Sequence, residues 1–182
     1  MPLPAKPKKC KLIFALIYSS EEIYQKAKRY ITRKFGILDL ESSPLEFNFT
    51  DYYNEEMGSN LKRRFISCKK LIEPDDITQI KLTSVKLERK LSILGKRRIN
   101  IDPGYITEAK LVLSTTKDFS HRIYLGNKVF AEITLVYQNK GFKNLTWTFP
   151  DYRTKPYKNT LLKIRTLLKE QLKKPVFSAK TA

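Results

Sequence analysis

From Lys11 to Tyr18 the chain is a continuous apolar run, long enough for a buried strand and too short for a helix. Ser19 follows with Glu22 three residues on, the spacing of a capping box, and Ile23, Ala27, Tyr30 and Ile31 then share one helical face. Gly36 is placed to stop that helix. Extended chain is expected from Ile37 to Phe49, broken at Ser42-Ser43-Pro44, with Leu45, Phe47 and Phe49 alternating with Glu46 and Asn48. Thr50 to Gly58 suits a loop or a single helical turn, and Phe65 to Ile72 a further strand. Pro74 opens a second helix, along which Ile77, Ile80, Ser84, Leu87, Leu91 and Leu94 recur at spacings of three and four before Gly95.

The second half has strands without helices between them. Arg98 to Ile101 leads into Asp102-Pro103-Gly104, whose composition predicts a turn. Lys110–Thr116, Arg122–Leu125 and Val129–Tyr137 are rich in β-branched and aromatic residues, and Gly126-Asn127 is the expected turn of a hairpin between the last two. Leu145 to Phe149 is the expected final strand. Thr154 then caps a last helix carrying Tyr157, Leu161, Ile164, Leu168 and Leu172 on one face, and Pro175 closes it. The order predicts an α+β protein with a mainly antiparallel sheet and three packed helices, the first choice being an elaborated ferredoxin-like core. Residues 1–10 are expected to form a flexible basic arm, 11–174 a single domain, and 175–182 a frayed tail.

Length and composition agree. A chain of 182 residues suits one domain, which buries roughly 70% of its unfolded surface. The cysteines, Cys10 and Cys68, match no zinc spacing and fit reduced, buried thiols. The opening apolar run is too short to span a bilayer and is followed by no small-residue cleavage site, so a cytoplasmic protein without a membrane partner is expected. Charge changes the picture most. Lys and Arg number 36 against 18 Asp and Glu, a net +18 that is densest near the two ends. Such an excess attracts polyanions regardless of sequence, which makes RNA or DNA a candidate partner. The predominance of Lys over Arg suits diffuse solvation better than bidentate phosphate recognition.

Candidate chemistry gathers between Arg97 and Leu125. Lys117, His121 and Arg122, with hydroxyls from Ser114, Thr115 and Thr116, would stand together at one sheet edge if the flanking strands pair. That set suits a phosphate or carboxylate: Arg offers a planar fork, Lys a point charge and the hydroxyls hydrogen bonds. His121, the sole histidine, is the candidate for proton transfer, with Asp51 or Asp102 to orient it. Each has a structural alternative: a histidine that only bonds its strand, an aspartate that only closes a turn. Neither glycine-rich phosphate loop occurs in the chain. A metal site would need oxygen ligands such as Asp51, Glu55, Glu56 and Asp102, and none is assigned.

The stretches FNFTDYYNEEMG with LKRRF, INIDPGY, KLVLSTTKDFSHRIYLG, AEITL and WTFPDYR, in that order, resemble a bacterial family known only as domain of unknown function 4416. The likeness runs from Lys11 to about Leu172. It implies no activity. The positions matching its motifs include Asp51, Asp102, Tyr105, Lys110, Lys117, His121 and Arg122. The combined expectation is a protein that binds an anionic, phosphorylated small ligand such as a nucleotide. Lys117 and Arg122 would hold the anion, with Lys110, Asp102 and Tyr105 lining the site. The alternative is a non-catalytic nucleic-acid or ribonucleoprotein accessory protein acting through its basic surface.

Overall fold

The computed structural model describes residues 3–173. In chain order the elements are β1 (Cys10–Tyr18), α1 (Glu21–Phe35), β2 (Leu38–Glu41), β3 (Leu45–Glu46), the one-turn α2 (Asn54–Met57), β4 (Lys62–Ile72), α3 (Ile77–Lys90), β5 (Ile99–Ile106), β6 (Lys110–Thr115), β7 (Ile123–Gly126), β8 (Val129–Gln138), β9 (Gly141–Asn144) and α4 (Lys155–Lys173). The fold is α+β: one antiparallel sheet, in the order β2-β4-β1-β5-β6-β8-β7, carries three longer helices. The small strands β3 and β9 add to β4 and β8.

β1 is antiparallel to both β4 and β5, and β2 is antiparallel to β4. Strands β1 and β2 therefore run parallel with β4 between them, and β4 and β5 run parallel with β1 between them. The helices α1 and α3 make those two crossovers, each a split β-α-β unit. Both lie on one face, packed on Leu12, Phe14, Leu16 and Tyr18 of β1. On the opposite face α4 sets Tyr157, Leu161, Ile164 and Leu168 against Ile13 and Ala15. Covered on both sides, β1 has no position for a polar side chain in its second half, hence its unbroken apolar run.

Local signals hold at most element ends. Ser20, one residue beyond the expected cap, accepts from the Ile23 N–H at the start of α1, and the Gly36 N–H donates to the Thr32 carbonyl at its end. Four expectations are corrected. The second helix stops at Lys90, not Gly95, and Leu94 is 96% exposed in a tight turn closed between Ile93 and Lys96. The β7–β8 turn falls at Asn127-Lys128, both left-handed, as does the Asn139-Lys140 pair joining β8 to β9. This second turn starts the last strand at Gly141. Leu145–Phe149 is therefore not a strand; its Thr148 hydroxyl accepts from the Leu145 N–H at 2.8 Å and donates to the Thr134 carbonyl at 2.6 Å. The fourth correction, at Asp102-Pro103-Gly104, opens the site. Pro175 and the 175–182 tail lie outside the described residues.

Candidate functional site

Asp102, Pro103 and Gly104 are not a turn but the middle of β5, paired with Ala15, Phe14 and Ile13 of β1. On its other edge β5 pairs with β6 only from Gly104 to Ile106, against Leu111 to Leu113. Proline has no N–H to continue that ladder. Gly104 allows the two backbones to meet, since a Cβ there would lie 2.3 Å from the Val112 carbonyl oxygen. Beyond Pro103 the strands part. The exposed edge of β5 is satisfied by α3 instead: a Glu88 carboxylate oxygen accepts from the Ile101 N–H, and the Lys81 ammonium donates to the Ile101 carbonyl at 3.2 Å. Lys81 also reaches Asp102 at 3.2 Å.

The parted strands leave a cavity of about 580 Å³. Strand β5 contributes Asn100 and Asp102, β6 and the following loop contribute Ser114 to Lys117, and α3 contributes Lys81, Val85 and Glu88. Arg63 of β4 and Asp151-Tyr152 before α4 close the inner end. Phe49, Tyr52 and Phe149, all substantially exposed, stand at the mouth. Five cationic side chains (Arg63, Lys81, Arg97, Lys117, Arg122) and four acidic ones (Glu88, Asp102, Glu132, Asp151) line it.

At the rim, the buried Glu132 carboxylate accepts from Arg122 Nε at 2.8 Å and lies 3.1 Å from His121 Nε2. Arg122 also donates to the Lys117 carbonyl at 2.9 Å, so the 117–122 loop is tied to β8. The Lys117 ammonium donates to the Tyr52 hydroxyl at 2.6 Å, and this bond and charge lower the phenol's pKa. Arg97 is paired with Glu56 and donates to Asn100. At the inner end Arg63 is 3% exposed and donates from Nη2 to Asp151 at 2.9 Å. Its guanidinium lies 5.2–5.8 Å from the ring centres of Phe47, Phe65, Tyr152 and Tyr157. Burial raises the Asp151 pKa against the opposing charge of Arg63. Burial likewise pushes Glu88 up to about 7, with Lys81 opposing.

Of the residues singled out in the sequence, Lys117, Arg122 and Asp102 line this cavity. His121 is joined to Arg122 through Glu132 and stacks on Trp147 at 5.2 Å, but does not line it. The carboxylate beside His121 is Glu132; Asp51 instead accepts from the Asn54 amide at 2.7 Å in an exposed turn. Tyr105 and Lys110 belong to the far, paired end of β5 and β6, where Tyr105 packs against the apolar cluster beneath α1 and α3. Arg63, Lys81, Glu88, Arg97 and Glu132 line the cavity although sequence reasoning passed over them. Period-two alternation could have found Arg63, which falls in phase with the buried Phe65 and Ser67. Lys81 and Glu88, seven apart, lie on the buried flank of the α3 stripe. Among the described residues no three His, Cys, Asp or Glu side chains gather as a metal would require, and no helix is long and apolar enough to cross a membrane.

Residues 8–167 match the model of a family described as a domain of unknown function, DUF4416, and the chain belongs to that family. No curated protein and no solved structure matches it.

Proposed function

We propose that this protein binds a small phosphorylated ligand bearing a flat ring, a nucleotide being the best fit, in the cavity between β5 and β6. The observation that carries the reading is the pairing, at one opening, of Lys117 and Arg122 with the exposed rings of Tyr52, Phe49 and Phe149. Cations and the hydroxyls of Thr115 and Thr116 suit phosphate oxygens, and the rings suit a base. The volume of about 580 Å³ lies in the range of small-molecule sites. Lys117 is bonded to a phenol rather than a carboxylate, which leaves its charge uncancelled.

A thermal-shift screen of nucleotides, sugar phosphates and a short RNA, at about 200 mM salt, tests this. A ligand at about 100 times its dissociation constant adds about 2.7 kcal/mol, worth several degrees here. The reading expects such a shift from a nucleotide and its loss in Lys117→Ala. The net charge of +18 favours a second reading, a polyanion-binding accessory protein. That reading expects no small-molecule shift and RNA binding that collapses between about 50 and 200 mM salt.

A further inference from the structure

Arg63 is the cavity's least satisfied group. It is almost wholly buried, yet among the described residues its Nε and Nη1 have no hydrogen-bond partner, and neither has the hydroxyl of Tyr152 beside it. The surrounding rings fix the guanidinium and accommodate its charge, and the hydroxyls of Tyr152 and Tyr157, the oxygens those rings carry, make no hydrogen bond of good geometry with those N–H groups. Buried donors are nearly always paired, so two unpaired ones on a residue in the wall of an open cavity indicate a ligand that carries acceptors.

The acceptor the inner end suits is a neutral one. Arg63 is already paired with Asp151, and Lys81 with Asp102. With Glu88 also present, an anion driven inward would meet three carboxylates. Among the described residues the rim has a single lining carboxylate, Glu132, paired with Arg122, and it carries Lys117, without a carboxylate partner, next to Thr115 and Thr116. The phosphate therefore stays at the rim, and the base lies against the mouth rings of Phe49, Tyr52 and Phe149 with its far edge pointing inward, toward walls that include Phe47, Tyr53 and Tyr152.

We propose that the inner end reads the lactam edge of a heterocyclic base, with Arg63 donating to the ring carbonyl and Asp102 accepting from the adjacent ring N–H. This rests on the nucleotide reading above. Asp102 is the carboxylate suited to the second role. Its side chain is 28% exposed and, although Lys81 donates to one of its oxygens at 3.2 Å and the Asn100 amide to the other at 2.7 Å, each carboxylate oxygen can accept a second bond. The side chains of Asp151 and Glu88 are buried and engaged by backbone N–H groups. A base with an amino group in place of the carbonyl reverses the pattern, setting donor against Arg63 and a bare ring nitrogen against Asp102. A site built to hydrogen-bond one pattern rejects its reverse strongly.

Calorimetric titration of the full chain at about 200 mM salt, with inosine monophosphate against adenosine monophosphate and uridine monophosphate against cytidine monophosphate, tests the proposal. Each pair exchanges a lactam edge for an amino edge. The lactam member of at least one pair is expected to bind about tenfold tighter or more, and Arg63→Met and Asp102→Asn are expected to abolish the preference. Equal or reversed affinities within both pairs overturn the proposal while leaving the nucleotide reading intact. A preference that survives in a folded Arg63→Met or Asp102→Asn variant overturns the assignment to these residues. If no monophosphate binds the native protein, the nucleotide reading falls and this proposal with it. The comparison of the two pairs on the native protein decides the matter even if Arg63→Met does not fold.

Discussion

The Ser114 hydroxyl donates to the Pro103 carbonyl at 2.8 Å, across the point where β5 and β6 stop pairing. On one side of this bond the strands make an ordinary antiparallel ladder. On the other, α3 supplies the hydrogen bonds that β6 no longer offers, and the cavity occupies the gap. The site is thus a consequence of a broken sheet, and its integrity depends on residues that never touch a ligand.

Gly104 is the first of these. A methyl group there would press on the Val112 carbonyl and on Leu113, backbone included. Gly104→Ala is expected to destabilise the fold by about 1–3 kcal/mol. Thermal unfolding would show this as a fall of about 2–4 °C per kcal/mol.

Glu88 makes stability depend on pH. Its folded pKa of about 7 is raised from an ordinary 4.5, so the folded state holds a proton that the unfolded state releases first. The contribution is complete below pH 4.5 and is lost as pH rises through 7. Glu88→Gln keeps an acceptor for the Ile101 N–H and removes the titration. Denaturant unfolding at about pH 5 and about pH 8 should show less loss of stability with rising pH in the variant than in the native protein.

Asp151 and Arg63 form a pair in which both side chains are nearly inaccessible. Asp151→Ala strands the buried guanidinium and is expected to cost about 3–5 kcal/mol in chemical denaturation. Replacing both partners together, as Arg63→Met with Asp151→Leu, should cost less than the two single changes added. Additivity would show that the pair is not coupled.

Lys117 leaves a signature on Tyr52. Its hydrogen bond and charge lower the phenol's pKa, so Lys117→Met should return that pKa toward the ordinary tyrosine value. Tyrosinate absorbance, with Tyr52→Phe to identify the transition, measures it. An unchanged titration would show that the two groups do not meet in solution.

The periodic elements were legible in the sequence: β1 from its apolar run, α1 from its face and cap, and α4 from Tyr157, Leu161, Ile164 and Leu168, all buried as expected. Where local preference and long-range pairing disagreed, the sequence misled. Asp-Pro-Gly favours a turn by itself, yet β1 pairs with all three residues and holds them extended. Lys117 and Arg122 could be placed together because one short loop carries them, although the strands flanking it, β6 and β7, do not pair with each other as expected but each with β8. Asp102 joins them from β5, the other neighbour of β6. Arg63, Glu88 and Glu132 reach the cavity from β4, α3 and β8; alternation in phase with Phe65 and Ser67 hints at Arg63, but nothing local to LERK marks Glu88 as buried. Arg63 needed the register of β4, and Glu88 the loss of a strand partner at Ile101.

Heteronuclear amide NMR of the labelled protein, titrated with uridine and inosine monophosphates at about 200 mM salt, tests the central claim most directly. The account predicts saturable shifts confined to Ser114–Lys117, Arg122, Asn100–Asp102 and the side-chain Nε–H of Arg63. Shifts scattered over the lysine-rich surface, or none at these positions, would contradict it.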